Sequence, residues 1–365
     1  MTLLPDHIYG VILAGGSGTR FWPKSRHKTP KQLCAIGNND KTMIEVTLSR
    51  LNKLIPPERR IVVTHKDQVE LSKQICGEQV GTWLAEPEAR NTSAALAMAS
   101  IEIQNQYNGN KKPVMISLHA DAIISNEARF EETLRSAIAP AESGYLTLLG
   151  IVPDCAETGY GYIEKGTPLS TPDVRSVASF REKPDFETAE TYLKSGNFLW
   201  NSGIFVWQTQ SILGELEKRL PIIPQLIQGL LTEGIKSLNE VNLKDLTTVW
   251  KQIPKIAIDN AVLEVSENVA VIAADIGWKD VGSWNALSEC FETDHDGNLT
   301  YGEGWMLDCK NTTVDSDGPF IATIGLSDMV VVSAKNAILV CPKHRSQEVK
   351  KVVEHLKNSE QHELL

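Results

Sequence analysis

No stretch of apolar residues in this 365-residue chain is long enough to cross a bilayer, and the opening MTLLPDHIYG lacks the basic flank and apolar centre of a secretory leader. No membrane partner is expected, and the cytoplasm is the expected address. Cysteine is sparse: Cys34, Cys76, Cys155, Cys290, Cys309 and Cys341 are scattered with no close pair. That spacing suggests neither a zinc site nor a disulfide framework, so reduced, mostly buried thiols are expected. Basic charge is also in deficit, and a net charge of −10 argues against a nucleic-acid partner, which would need a broad cationic surface. Nor is there an obvious Ser-His-Asp set for nucleophilic catalysis.

What is present is the composition of a globular protein, with 42% apolar and 22% charged residues. The length suits two unequal domains. Up to about residue 151, short β-rich runs alternate with helical stretches: Gly10–Ala14, Met43–Leu54, Arg60–Thr64, Asn91–Gln106, Val114–Leu118, Glu127–Ala139 and Tyr145–Ile151. This rhythm predicts an α/β fold, Rossmann-like, with a mostly parallel sheet flanked by helices and functional residues at the carboxyl ends of its strands. Pro221 and Pro224 divide the Leu- and Ile-rich stretch from Gln210 to Trp250 into several short helices. After about residue 293 the turn cluster DHDGN opens a series of short strands at near-regular spacing, closed by a helix from His344 to about Lys357. We therefore expect a large domain over 1–292 and a small β-rich, β-solenoid-like domain over 293–365.

Charge is unevenly placed. From His7 to Asn39 there is no Asp or Glu, while Arg20, Lys24, Arg26, Lys28 and Lys31 crowd together. Directly before them, the strand YGVI runs into Ala14, Gly15, Gly16, Ser17, Gly18 and Thr19. Glycines let a backbone approach a phosphate without Cβ interference, and consecutive N–H groups can turn inward around it. The loop is neither common phosphate motif, because it lacks a Gly-Lys-Ser/Thr end and Phe21 stands where a dinucleotide-binding loop has its third glycine. With Arg20, Lys31 and the missing acids, it predicts triphosphate binding.

The spelling LAGGSGTRFWPKSR at 13–26, followed by TPKQL at 29–33, resembles the nucleotide-binding loop of the sugar nucleotidyltransferases, especially the mannose-1-phosphate guanylyltransferase branch. Five further blocks continue the likeness in order: EPEARNTSAAL at 86–96, GYGYIE at 159–164, FREKPD at 180–185, FLWNSGIFVW at 198–207 and DIGWKDVGSWNAL at 275–287. Together they cover essentially residues 8–290, and KHRSQEVKKVVEHL resembles the family's carboxyl end.

The resemblance implies transfer of GMP from GTP to mannose 1-phosphate, giving GDP-mannose and pyrophosphate. It places Arg20, Lys31, Asp121 and Asp280 in catalysis, with Asp121 and Asp280 holding Mg²⁺ or a similar divalent cation. Two carboxylates with phosphate oxygens and waters suit that ion. The nucleotide would meet Ala14, Gly15, Gly16, Gly18, Thr19, Glu86, Pro87, Arg90, Asn91 and Thr92. The sugar phosphate would meet Gly161, Glu182, Lys183 and Asn201. The family's Pro-x-Asp-His reads His119, Ala120, Asp121, Ala122 here, so the aspartate is kept while its neighbours change. His119 is read as a surface or packing residue. Another sugar or nucleotide, or a catalytically weak GDP-sugar-binding regulatory paralogue, stands as the alternative. The chain ends too soon for the isomerase domain some members carry, so isomerase activity is not expected. A homodimer is left open.

Overall fold

The structure is a computed structural model that describes residues 2–16, 18–37, 40–169 and 173–365, so Ser17 of the glycine loop lies outside the described residues. Two compact units emerge. The first comprises Met1–Gly15, Leu48–His119 and Ile124–Trp278; the second comprises Gly16–Thr47, Ala120–Ile123 and Lys279–Leu365. The second unit gathers Gly16–Thr47, which carries the basic run, and residues 279–292 together with the C-terminal region.

The first unit holds a nine-stranded sheet. Its strands are β1 (Ile8–Ala14), β2 (Arg60–His65), β3 (Thr82–Glu86), β4 (Val114–His119), then, after the short β5 (Ala122–Ile124), β6 (Leu146–Ile151), β7 (Tyr162–Pro168), β8 (Val174–Arg181), β9 (Phe198–Gln208) and β10 (Val269–Ala273). Their order is β3-β2-β1-β4-β9-β6-β10-β8-β7. The run β3-β2-β1-β4 is parallel throughout, as is the β6–β10 pair. Strand β9 enters antiparallel to β4, β6 and β7, and β8 is antiparallel to both β7 and β10. Every residue of β1 and β6 is buried, the mark of strands covered on both faces. The helix Thr92–Gln106 buries eleven residues from Ser93 to Ile103 and packs on the helices Thr209–Arg219 and Ile222–Gln228. Trp207 and Trp250 are fully buried in this core.

A short strand β11 (Trp278–Asp280) pairs with β5. In the second unit, β12 (Leu299–Tyr301), β14 (Thr313–Ser316) and β16 (Met329–Ala334) stack in parallel, while β13 (Gly304–Leu307) stacks in parallel on β15 (Ile321–Ile324). Successive parallel ladders of this kind are the β-helical pattern expected of the C-terminal region. Strand β17 (Ala337–Pro342) closes the larger ladder antiparallel to β16, and the helix Val349–Asn358 follows a 3-10 stretch at Lys343–Glu348. Phe21, Trp22, Val281 and Trp284 share one apolar cluster with Leu299, Val330 and Val353.

Among the described residues no helix is long and apolar enough to cross a membrane. No disulfide joins the six cysteines among the described residues; Cys34, Cys76 and Cys309 are buried and Cys155 is exposed.

Candidate functional site

Within the second unit, the predicted phosphate-binding and metal-binding residues come together around Lys31. Gly16 has open space where a Cβ would stand, and its carbonyl accepts a hydrogen bond from Gln32 Nε2 at 3.1 Å. Gly18 has φ +57°, and a Cβ there would lie 2.4 Å from Lys31 Cβ. Ser25 Oγ donates to the Gly18 carbonyl at 2.6 Å, which fixes the loop's exit. The Lys31 side chain is 6% exposed, and its ammonium donates to the Asp121 carbonyl at 3.1 Å and to Asp121 Oδ2 at 3.3 Å. Asp280 Oδ1 stands 4.0 Å from the same Nζ. The two aspartates expected to share a cation therefore converge on one ammonium, each about two-fifths exposed (43% and 40%). A Cβ built on Gly282 would be 3.6 Å from both Arg20 Nη1 and Asp280 Oδ2, so Arg20 reaches the same cluster. Its guanidinium also donates to Gln347 Oε1 at 3.1 Å.

These residues fit a divalent cation of the expected kind. Two half-exposed carboxylates leave the remaining coordination positions to water and phosphate oxygens, which is how Mg²⁺ is ordinarily held. No group of three or more His, Cys, Asp or Glu side chains forms a closed metal cage among the described residues.

The basic run divides by role. Lys24 is buried and paired with Asp315 at 2.6 Å and Asp317 at 3.0 Å, so its charge serves the β-helical region rather than a ligand. Burial holds the Asp315 carboxyl up at about 6, against the opposing pull of Lys24. Arg26 lies over the Trp22 ring and donates to the Pro23 carbonyl.

The predicted base-binding segment lies in the first unit, at the end of β3. Glu86 is 6% exposed, and a Cβ on Gly15 would stand 3.1 Å from its Oε2. Burial pushes the Glu86 carboxyl from its ordinary 4.5 up to about 8. Between those two values the folded chain keeps a proton that the unfolded chain has lost, so this group destabilises the fold progressively as pH rises through that window. Replacing Glu86 with Gln is expected to raise thermal stability more at pH 8 than at pH 5. Melting curves at the two pH values check this, and an equal shift at both would remove the buried-acid assignment.

Pro87 is buried next to Glu86. Arg90 donates to Glu88 Oε2 and the Lys251 carbonyl. Asn91, at φ +66°, caps the following helix by accepting from Thr92 N–H, while Thr92 Oγ1 accepts from Ile258 N–H at 2.8 Å. Asn91 and Thr92 thus have structural work of their own. Ala14 is buried at the end of β1, and Thr19 begins a 3-10 turn in the second unit.

The four predicted sugar-phosphate residues are also brought together in the first unit. A Cβ on Gly161 would lie 2.5 Å from Glu182 Oε2, 3.1 Å from Phe180 Cζ and 3.3 Å from Asn201 Cβ, so these side chains crowd the glycine and would have to shift for a larger residue. Asn201 N–H donates to the Gly161 carbonyl at 2.8 Å. Lys183, left-handed at φ +46° and 61% exposed, places its ammonium 2.7 Å from Glu182 Oε1. Trp200, Phe205 and Trp207 are core residues, whereas Phe198 stacks on Tyr192.

Two residues here escaped the sequence reading. Asp259 Oδ1 accepts from Asn201 Nδ2 at 2.8 Å, and Glu264 Oε1 accepts from the Glu182 N–H at 3.0 Å. Asp259 opens a short helical stretch, Asp259–Leu263, and Glu264 directly follows it, with no motif to mark either. Burial, then the nearby Glu182, lifts the Asp259 carboxyl to about 6. His119 packs on Gly203, whose φ is +71° and whose Cβ would meet the ring at 2.7 Å. That is the packing role expected of it.

Comparison with known proteins shows the family. A family model described as nucleotidyl transferase matches residues 9–297, and one described as a MannoseP isomerase/GMP-like beta-helix domain matches 302–356. The mannose-1-phosphate guanylyltransferase of Klebsiella pneumoniae is 36% identical over 97% of this chain and 74% of its own length. An Escherichia coli mannose-1-phosphate guanylyltransferase matches to the same extent, at 36% identity over 97% of this chain and 74% of its own. A crystal structure described as a mannose-1-phosphate geranyltransferase from Thermus thermophilus superposes with a TM-score of 0.86 at 30% identity, covering 96% of this chain and 99% of that one. The chain belongs to the nucleotidyl transferase family, on its mannose-1-phosphate guanylyltransferase branch.

Proposed function

We propose that this chain transfers GMP from GTP to α-D-mannose 1-phosphate, forming GDP-mannose and releasing pyrophosphate. The observation that carries the chemistry is the convergence of Asp121 and Asp280 on Lys31, in the unit that also bears Gly16, Gly18 and Arg20. A sugar phosphate monoester, with a second pKa of about 6, is largely dianionic at neutral pH, so its oxygen attacks the α-phosphate in line without a general base. What remains for the protein is positioning and neutralisation. Lys31 and Arg20 would offset charge on the triphosphate and the departing pyrophosphate. Asp121 and Asp280 would hold Mg²⁺, which when bound supplies further charge neutralisation at the phosphates. Glu86 would accept from guanine N1–H and N2–H, two donors that offset the cost of ionising it in a buried place.

Pyrophosphate release, measured with each of the four NTPs against several sugar 1-phosphates, tests the reading. GTP with mannose 1-phosphate is expected to give the highest kcat/KM, and a flat profile or preference for another pair would remove the substrate assignment. GDP-mannose binding without turnover would install the regulatory alternative in its place.

Lys183 provides a sharper test of the sugar site. A charge-assisted contact to phosphate contributes roughly 1.5–3 kcal/mol, so Lys183→Ala is expected to raise KM for mannose 1-phosphate about tenfold to a hundredfold and leave that for GTP nearly unchanged. Equal effects on both substrates would take Lys183 out of the sugar site.

A further inference from the structure

A second cation-rich cleft, of about 800 Å³, opens within the second unit. Its floor is apolar, with Trp22 and Val353 buried at 7% and 6% exposure. Around it stand Arg26, Lys28, Lys335 and Lys357 against one acidic side chain, Glu363. Such an excess is notable in a chain of net charge −10. His27 and His362 complete the polar rim.

Two of the cations are held in place. Arg26 is 6% exposed and donates to Asn336 Oδ1 at 3.2 Å, and Lys335 donates to Thr29 Oγ1 at 3.1 Å. Burial pushes Arg26 below its ordinary range, and no carboxylate offsets that burial. An anion in the cleft would relieve this cost. None of Lys28, Lys335 and Lys357 belongs to the cluster around Asp121 and Asp280 described above.

We infer that this cleft is an effector site for an amphiphilic anion, a small molecule with a phosphate head for the lysines and an aromatic or other apolar body for the Trp22 floor. The cleft wall includes Thr19 and Ser25, and Ser25 Oγ holds the Gly18 carbonyl. An occupant would therefore bear on residues that fix the glycine loop, and through them on turnover. The binding claim stands independently of the nucleotide-transfer reading; only the effect on turnover rests on it.

Phenyl phosphate is a suitable probe. Titrated calorimetrically into the full chain at saturating GTP, it is expected to bind saturably, and inorganic phosphate to bind more weakly. The double variant Lys335→Glu, Lys357→Glu should weaken phenyl phosphate at least about tenfold. Its unliganded pyrophosphate release and melting temperature should stay near those of the parent. Occupancy should change parent turnover at saturating substrates, and this change should be absent from the double variant. Absence of saturable binding, binding abolished by GTP, or equal affinity in the double variant would overturn the site. Equal affinity for phosphate and phenyl phosphate would overturn the apolar half of the ligand, and binding without any change in turnover would overturn its effector role.

Discussion

Replacing Asp280 with Asn is expected to lower pyrophosphate release by about 10²–10³-fold, the usual cost of removing one preorganised electrostatic contributor from a phosphate-transfer or acyl-transfer site. The substitution keeps the side chain's shape and removes its charge. Lys31 retains its closer partner, Asp121 at 3.3 Å, while the lost one stood at 4.0 Å and is two-fifths exposed. The stability cost should therefore be about 1 kcal/mol or less, as for other partly exposed pairs. Catalysis would have no such substitute, because a cation held by both carboxylates would keep only one. Rates measured across a Mg²⁺ titration, with melting curves beside them, separate the two effects. The expected result is a folded protein whose residual activity needs far more Mg²⁺. Parent-like turnover at ordinary Mg²⁺ would take Asp280 out of the site.

The first half of the fold was legible because its strands are buried on both faces and so read as unbroken apolar runs. Val114–Leu118 was expected and Val114–His119 is found; Arg60–Thr64 was expected and Arg60–His65 is found. The helix expected over Met43–Leu54 stops at Ser49, where the chain turns through residues 50–55 to reach β2. Strand direction in the second half was not legible. The alternating aromatics of β9 announce a strand, but nothing local says that it will lie antiparallel between β4 and β6. The make-up of the second unit was equally hidden, since Phe21, Trp22 and Trp284 join Leu299 and Val330 in a core assembled from residues hundreds of positions apart. The same limit explains the uneven record at the site. Residues carried by motifs, such as Lys31, Asp280 and Glu182, could be named in advance. That Lys24 pairs with Asp315, from the distant β14, could not be read from the crowding of cations alone. Asp259 and Glu264, which hold Asn201 and the Glu182 backbone, were invisible because their partners are 58 and 82 positions away.

Two glycines of the loop allow packing and ligand approach to be told apart. Gly18→Ala is expected to cost turnover about a hundredfold, the penalty that a misplacement near 1 Å can impose on an aligned site, and to lower the melting temperature as well. At φ +57° an alanine pays roughly 1 kcal/mol in backbone strain. Its Cβ would also stand 2.4 Å from Lys31 Cβ and 2.7 Å from Lys31 N, and the second of these is backbone that cannot rotate away. Either the loop or Lys31 must move, and Lys31 is the residue on which Asp121 and Asp280 converge. Gly16→Ala is the contrasting case. Nothing lies within 4 Å of its Cβ position, and its φ is not in the left-handed region, so the free protein should melt as the parent does. A triphosphate lying against the loop backbone would nevertheless meet the added methyl, raising KM for GTP while leaving that for mannose 1-phosphate nearly unchanged. Parent-like GTP kinetics in Gly16→Ala would mean that no phosphate approaches this stretch of backbone, whatever Gly18→Ala does to the fold.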